Sequence, residues 1–445
     1  MLTDRIAHSS AVGYDSRSPT QDGVQVPYRW HNRYRVGPAL GCMAGPPAPK
    51  PVRAPSRCPS HPDLPDPLVG PDGESIETPA QWERRRDDIE QLFRQYVYGY
   101  APAAVDLDIE VRDETPVLDG RARLREVELS VRQLPSEGPS IHLAVFLPEA
   151  RDIAPVMLTI NKHGNHATIP ERAVTKPPAA RAHSPVDRGD RAEYWCVEEI
   201  VSRGYAFATF HCADVDPDRD DFTDGIHPYF ASEDLPGPPG AEWGTIGAWA
   251  WGVERCVDYL VDAPGIDGDA IAVQGHSRRG KTALLAGATD GRIAIVIPHQ
   301  SGTGGVALSR DNGQETVARI TARFPHWFAD TFHGFAGRAD RLPVDQHLLV
   351  ALVAPRPLLD TEGARDYWAN PGLALDSLRA AAPVYDLYDG VGMRGNGLLH
   401  APDPIDESTA GRLVQYRHET GHTLNANYWE TILDFTDLHL RESSG

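Results

Sequence analysis

Apolar residues change their spacing several times along this chain, and each change predicts an element. Trp82, Ile89, Leu92, Phe93 and Tyr96 recur at helical spacing. Ahead of them, Thr78-Pro79-Ala80-Gln81 supplies an N-cap, a proline for the first helical position and a capping-box partner. The pattern predicts an amphipathic helix that stops at Gly99, with Arg84 to Arg86 on its solvated face. From Asp106 to Pro148 the period drops to two: Leu107, Ile109 and Val111, then Val127, Leu129 and Val131, then Ile141, Leu143 and Val145. Three half-buried strands in succession predict antiparallel pairing at a sheet edge.

Beyond residue 155 the apolar runs become continuous. Strands are predicted at 156–160, 205–210, 271–273, 293–297 and 356–360, with helical segments at 193–203, 243–260 and after Gly280, a strand-like run from Leu413 and a final helix at 427–440. Alternating strands and helices predict a mostly parallel sheet covered on both faces. Residues 1–61 differ: periodicity is absent, and Pro46, Pro47, Pro49, Pro51, Pro55 and Pro59 crowd the second half. They read as a proline-rich, poorly ordered arm or linker ahead of a domain at 62–445.

Composition narrows the function. Against 43 basic residues stand 63 acidic ones, a net charge of -20, which argues against nucleic acid as a partner. Only four of the basic residues are lysines, Lys50, Lys162, Lys176 and Lys281, so lysine at 281 stands out. The five cysteines show no C-x-x-C spacing and read as reduced or buried thiols. No apolar run approaches the roughly 20 residues of a membrane span. The N-terminus lacks the basic region and apolar core of a secretory signal, so a cytoplasmic location is expected, or secretion if the start codon is misassigned. Asp214, Asp216, Asp218 and Asp220 begin like a calcium loop, but Arg219 stands where the turn glycine belongs and no glutamate closes the frame. The stretch reads as solvated surface, and no metal is expected.

The candidate chemistry centres on Gly275-His276-Ser277-Arg278-Arg279-Gly280-Lys281-Thr282, a Gly-bounded turn between a strand and a helix. It satisfies the phosphate-loop pattern G-x-x-x-x-G-K-[ST] of nucleotide hydrolases, and also G-x-S-x-x-G, one residue wider than the common nucleophile elbow. The loop Asn161-Lys162-His163-Gly164-Asn165-His166 follows the 156–160 strand, at a place that could supply an oxyanion amide or be an ordinary polar turn. Past the 356–360 strand, Asp366 follows Gly363 by three residues and fits the place of an orienting acid better than Glu362. His418-Glu419-Thr420-Gly421-His422 matches the zinc signature H-E-x-x-H, but Gly421 and the strand-like run before it oppose the helix that zinc binding needs. His422 instead fits a general base in a loop before the last helix. Ser277, Asp366 and His422 stand in the serine, acid, histidine order of an α/β-hydrolase. That fold is a three-layer α/β sandwich, here with an antiparallel N-terminal edge.

Taken together, Gly275-His-Ser277-Arg278-Arg-Gly280-Lys281, Ser301-Gly302-Thr-Gly304-Gly305, Ala354-Pro355-Arg356-Pro357, Asp366-Tyr-Trp368-Ala-Asn-Pro371 and Gly421-His422 resemble the glucuronoyl esterases, carbohydrate esterase family 15. The resemblance covers about residues 62–440. It implies a serine carboxylesterase without cofactor, acting on esters of (4-O-methyl-)glucuronic acid in lignin–glucuronoxylan, with Arg278 stabilising the oxyanion and Lys281, Glu315, Arg323 and Trp368 lining the uronate pocket. Gln300 departs from the fungal pattern, which carries its catalytic glutamate there. The bacterial members that use the later acid match better, with assistance to His422 from Glu362 or Gln300 left open. Glu315 and Arg323, eight residues apart, would share a face if helical. The rival readings are an acetyl-xylan esterase, a P-loop nucleotide hydrolase and a non-catalytic carbohydrate-binding relative. The sequence leaves the oligomeric state open.

Overall fold

The computed structural model describes residues 53–102, 105–230 and 235–440. All of the described residues fall in one compact unit. Most of the expected arm, residues 1–52, lies outside the described residues. Residues 53–61 already belong to the packed body. Cys58 is buried, the His61 amide donates to the Asp340 carbonyl, and Arg310 Nε donates to the His61 carbonyl.

The strands, in chain order, are β1 Leu107–Val111, β2 Thr115–Val117, β3 Ala122–Val131, β4 Ser140–Pro148, β5 Ala154–Asn161, β6 Ala206–His211, β7 Ile266–His276, β8 Ile295–His299, β9 Leu358–Gly363, β10 Leu398–His400 and β11 Leu413–His418. They form one sheet in the order β1-β3-β4-β6-β5-β7-β8-β9-β11-β10, with β2 beside β3. The N-terminal strands β1, β3 and β4 pair antiparallel, as their alternation predicts, and β4 meets β6 antiparallel. From β6 through β10 every pairing is parallel.

Helices cover both faces because the central strands are apolar on both. Ile271 and Val273 of β7 enter one core cluster and Ala272 the other; Val296 of β8 enters the first, Ile295 and Ile297 the second. That is the two-residue side-chain period of a strand buried on both sides. The first cluster packs under the helix Thr245–Leu260, which carries Trp249 and Trp251, and the second under the helix Ala426–Leu440, which carries Trp429 and Phe435. This is the three-layer α/β-hydrolase sandwich. No helix of the described residues is long and apolar enough to cross a membrane.

Local signals fixed several boundaries. The Thr78 hydroxyl accepts from the Gln81 amide and opens the helix Pro79–Phe93; a π-helical turn then carries the chain to Gly99, at φ 85°. Elsewhere the structure differs from expectation. The 193–203 helix breaks at Cys196, whose φ of 48° splits it into Ala192–Trp195 and Val197–Ser202. Strand β9 runs on past Asp360 to Gly363, so Glu362 is a buried strand residue and not part of a loop. The acidic stretch is not solvated surface at its start: Asp214 and Asp216 are buried, and Asp216 accepts from the Thr245 hydroxyl.

The turn after β7 depends on two bare Cα atoms. A Cβ at Gly275 would lie 2.0 Å from the Arg279 carbonyl oxygen, and one at Gly280 would lie 2.9 Å from that of His299. Gly275→Ala should therefore destabilise the protein by about 3 kcal/mol or more. Chemical denaturation of the variant checks this, and a loss under 1 kcal/mol would mean that the helix can ride outward without cost.

Candidate active site

Ser277 joins β7 to the helix Arg278–Thr289. Its φ of 63° and ψ of -126° are a conformation that a residue with a Cβ adopts only at a cost. The strain is held from both sides: the Ser277 amide donates to the His299 carbonyl at 2.9 Å, and its carbonyl accepts from the Gly280 and Lys281 amides. Arg278 and Arg279 occupy the first helical positions, where backbone N–H groups have no carbonyl within the helix and the dipole is positive.

The other two members of the predicted set meet as the strand order requires. His422 Nδ1 lies 2.6 Å from Asp366 Oδ2, with the histidine side chain 43% exposed and the aspartate 5%. The His422 ring lies against His276, the residue before Ser277, with ring centroids 4.5 Å apart and planes tilted by 35°, and His276 lies against His299 at 4.6 Å and 42°. Burial, and then the charges of His299, His422 and Lys162, hold the His276 imidazole well below its ordinary range, so it is neutral. His418 points elsewhere: it ends β11 and its Nε2 meets the Thr431 hydroxyl at 2.9 Å. The H-E-x-x-H stretch is thus a strand end followed by a loop, and its two histidines share no helical face.

Arg278 is anchored by a group the sequence reading assigned to the surface. Asp218 Oδ2 accepts from Arg278 Nη1 at 2.7 Å and from Arg279 Nη2 at 3.3 Å, while Oδ1 lies 3.0 Å from Trp327 Nε1 and 3.1 Å from His326 Nε2. Burial alone would push this carboxyl up, but the His326 hydrogen bond and the charges of Arg279 and Arg278 outweigh it and hold it well below the usual range. The Arg278 guanidinium also lies over Trp327, 4.2 Å from its centroid, and over Phe324 at 4.6 Å. No motif marked Asp218, because its partners come from the 278–279 turn and from a helix more than 100 residues later.

Lys281 is buried, and its ammonium is already committed. It donates to the Ser301 carbonyl at 2.5 Å, to the Thr303 carbonyl at 2.7 Å and to Glu315 Oε2 at 3.2 Å. An ammonium has three hydrogens, so the expected lysine contact with a ligand would have to displace one of these. The same contacts remove Lys281 from the phosphate position of a nucleotide loop. Glu315 also accepts from the Thr303 amide and, at 2.9 Å, from Trp368 Nε1. It precedes the helix Val317–Arg323, so helical spacing does not align it with Arg323. Trp368 brings the two together instead: the Arg323 guanidinium lies 5.9 Å from the Trp368 ring centroid, and Trp368 is 37% exposed. Gly302 permits this approach, because a Cβ there would fall 2.2 Å from Glu315 Oε2.

Neither residue left open at the histidine hydrogen-bonds to its ring. Glu362 lies in β9, fully buried, beside the Asp360 carboxyl on the same face. Burial first, and then the charges of Asp360 and Asp366, push it well above the carboxylate range. Gln300 hydrogen-bonds to the backbone on both sides of His422. In the 161–166 loop, the His163 amide is taken by Asn161 Oδ1 at 2.7 Å; burial, Arg279 and Arg278 bring Lys162 down to about 8.

A family model described as "Glucuronyl esterase, fungi" matches residues 159–389, just over half of the chain. The chain is 37% identical over 401 residues to Carbohydrate esterase MZ0003 of an unknown prokaryotic organism, covering 85% of this chain and 89% of that one. It is 29% identical over 396 residues to 4-O-methyl-glucuronoyl methylesterase 1 of Wolfiporia cocos, covering 83% and 86%. A solved structure described as a promiscuous CE15 esterase from the marine bacterial metagenome superposes with a TM-score of 0.76 at 35% identity, covering 86% of this chain and 98% of that one.

The Asp218 anchor has a pH signature. Asp218→Ala leaves two arginines without their carboxylate and should cost about 3 kcal/mol. Because the native carboxyl is depressed, the contribution is complete above the unfolded value near pH 4 and is lost as pH falls through the lower native value. Denaturant unfolding of wild type and variant should show a gap that is constant from about pH 5 upward and narrows below about pH 4. A gap independent of pH would refute the anchor.

Proposed function

The chain belongs to the glucuronoyl esterases of carbohydrate esterase family 15, and from that membership we propose that it hydrolyses esters of (4-O-methyl-)glucuronic acid, as in lignin–glucuronoxylan links, through an acyl-enzyme on Ser277. The observation that carries this reading is the 2.6 Å contact of His422 with Asp366, two residues before the Trp368 side chain that Glu315 fixes.

Ser277 is a weak nucleophile at its own pKa, so His422 takes its proton during attack and returns it to the leaving alcohol. The Asp366 carboxylate accepts from His422 Nδ1, which leaves Nε2 as the basic nitrogen and favours the imidazolium that forms. The charge that develops on the ester oxygen meets the positive end of the helix Arg278–Thr289 and the guanidinium of Arg278. Asp218 and two aromatic rings hold that guanidinium, so little reorganisation accompanies the reaction. Water then repeats the sequence on the acyl-enzyme.

The sugar ring of the substrate sits against Trp368, with Arg323 and Glu315 beside it, and Lys281 acts at one remove by holding Glu315 and the 301–303 loop. A wall of fixed polar groups penalises an ester that lacks sugar hydroxyls, because those groups are then left unpaired. Acetyl esters are the second reading, supported by the promiscuity stated for the marine relative.

Two experiments separate these readings. Ser277→Ala should abolish turnover of benzyl glucuronate while the fold and uronate binding persist, and Asp366→Asn should lower kcat by about ten-thousandfold, the loss seen when a triad carboxylate becomes an amide. Near-normal turnover in either variant would reject the assignment. Relative to intrinsic reactivity, methyl or benzyl glucuronate should be cleaved at least about tenfold faster than p-nitrophenyl acetate, the scale of one lost polar contact, and Trp368→Ala should shrink the difference. Equal efficiency on both esters, or a preference for acetylated xylan, would leave the esterase standing and overturn its substrate.

A further inference from the structure

We propose that Gln300 is a positioning residue for His422, a brace that fixes the histidine loop from below; the proposal rests on the reading of His422 as the general base. Gln300 Oε1 accepts from the Thr423 amide at 2.9 Å, and Gln300 Nε2 donates to the Gly421 carbonyl at 3.0 Å. One side-chain amide thus holds the peptide groups on both sides of His422. These two partners also fix the amide orientation, since an N–H must face an oxygen and a carbonyl must face an N–H. His276 Nε2, 3.1 Å from Gln300 Oε1, is therefore a donor, and its Nδ1 accepts from the Tyr194 hydroxyl at 2.6 Å. His276 in turn supports the His422 ring through a tilted ring contact at 4.5 Å. The brace ties the base to the residue adjacent to Ser277.

Two independent features make room for it. Gln300 adopts φ 46°, a left-handed conformation that costs a non-glycine residue about 1 kcal/mol. Gly363 lacks the Cβ that would stand 2.8 Å from Gln300 Nε2 and 2.6 Å from the Gly421 carbonyl oxygen. A carboxylate in place of the amide keeps the shape and loses the donor, so two oxygens would face each other at the Gly421 carbonyl. The glutamine is accordingly a different device from an acid at this position.

The test uses Gln300→Ala and the isosteric Gln300→Glu, with His422→Ala as reference. Both Gln300 variants should lose about a hundredfold in kcat, the scale of a misplaced catalytic group, with KM on benzyl glucuronate within about threefold. The downfield proton signal of His422 Nδ1 in histidine-labelled protein should shift or broaden, an effect that general destabilisation in a folded variant would not produce. Full kcat in Gln300→Glu, or an unmoved signal in a folded variant, would overturn the brace; if Gln300→Ala does not fold, Gln300→Glu decides. If His422→Ala retains turnover, the triad reading itself fails. If it is inactive while the Gln300 variants match wild type, only the brace fails.

Discussion

The carbonyl oxygen of Arg279 lies where a Cβ of Gly275 would be, and that of His299 crowds the Cα of Gly280. This contact between the first turn of a helix and two parallel strands is the constraint on which the site depends. It holds Ser277 at positive φ and directs the free amides of the helix N-terminus to the same edge. With β7 fixed in this way, β8 and β9 on one side deliver Gln300 and Gly363, and β11 delivers the loop of His422.

Much of the charge near that edge is compensated before any ligand arrives. In a chain with net charge -20, four cations at the site have an anion or ring beside them: Arg278 and Arg279 share Asp218, Lys281 has Glu315, and Arg323 lies over Trp368. A paired cation keeps its orientation, because moving it would strand a buried carboxylate. The aromatic rings Phe324 and Trp327, stacked at 3.8 Å, fill the space between Arg278 and Arg323. Arg278 and Arg279 are therefore fixed parts of the site wall, whereas Arg323 is exposed and, among the described residues, meets only rings.

Much of this was legible in the sequence, for reasons that differ by residue. Ser277, Asp366 and His422 could be placed because each follows a strand recognisable by its apolar run, and the order of strands in the chain limits where each loop emerges. The zinc and nucleotide patterns failed on local structure: a strand end where a helix was needed, and a lysine already surrounded by carbonyls. Asp218 was missed because an Asp-rich stretch looks alike whether its carboxylates meet water or arginine; only the tertiary fold brings His326 and Trp327 to it. Glu315 and Arg323 were joined for the wrong reason, since the helix starts two residues after Glu315 and it is Trp368 that joins them. Gln300 read as a missing acid because its partners are backbone atoms, which leave no trace in side-chain identity.

The choice of Asp366 over Glu362 follows from strand geometry. Asp360 and Glu362 are two residues apart in β9, so their side chains share a face of the sheet, and the parallel register sets them opposite Gln415 and Arg417 of β11. Gln415 donates to Asp360 at 2.7 Å, but Arg417 turns its guanidinium to the Gln415 side chain and the Pro371 carbonyl. Two carboxyl groups that close, in a dry layer and without a full cation partner, resist ionisation, and burial raises both. A neutral carboxyl cannot balance an imidazolium. Beyond Gly363 the chain has left the sheet, and the next carboxylate it offers, Asp366, stands at the strand's carboxyl edge with His422 in reach. The acid that reaches the histidine therefore comes from the loop and not from the strand.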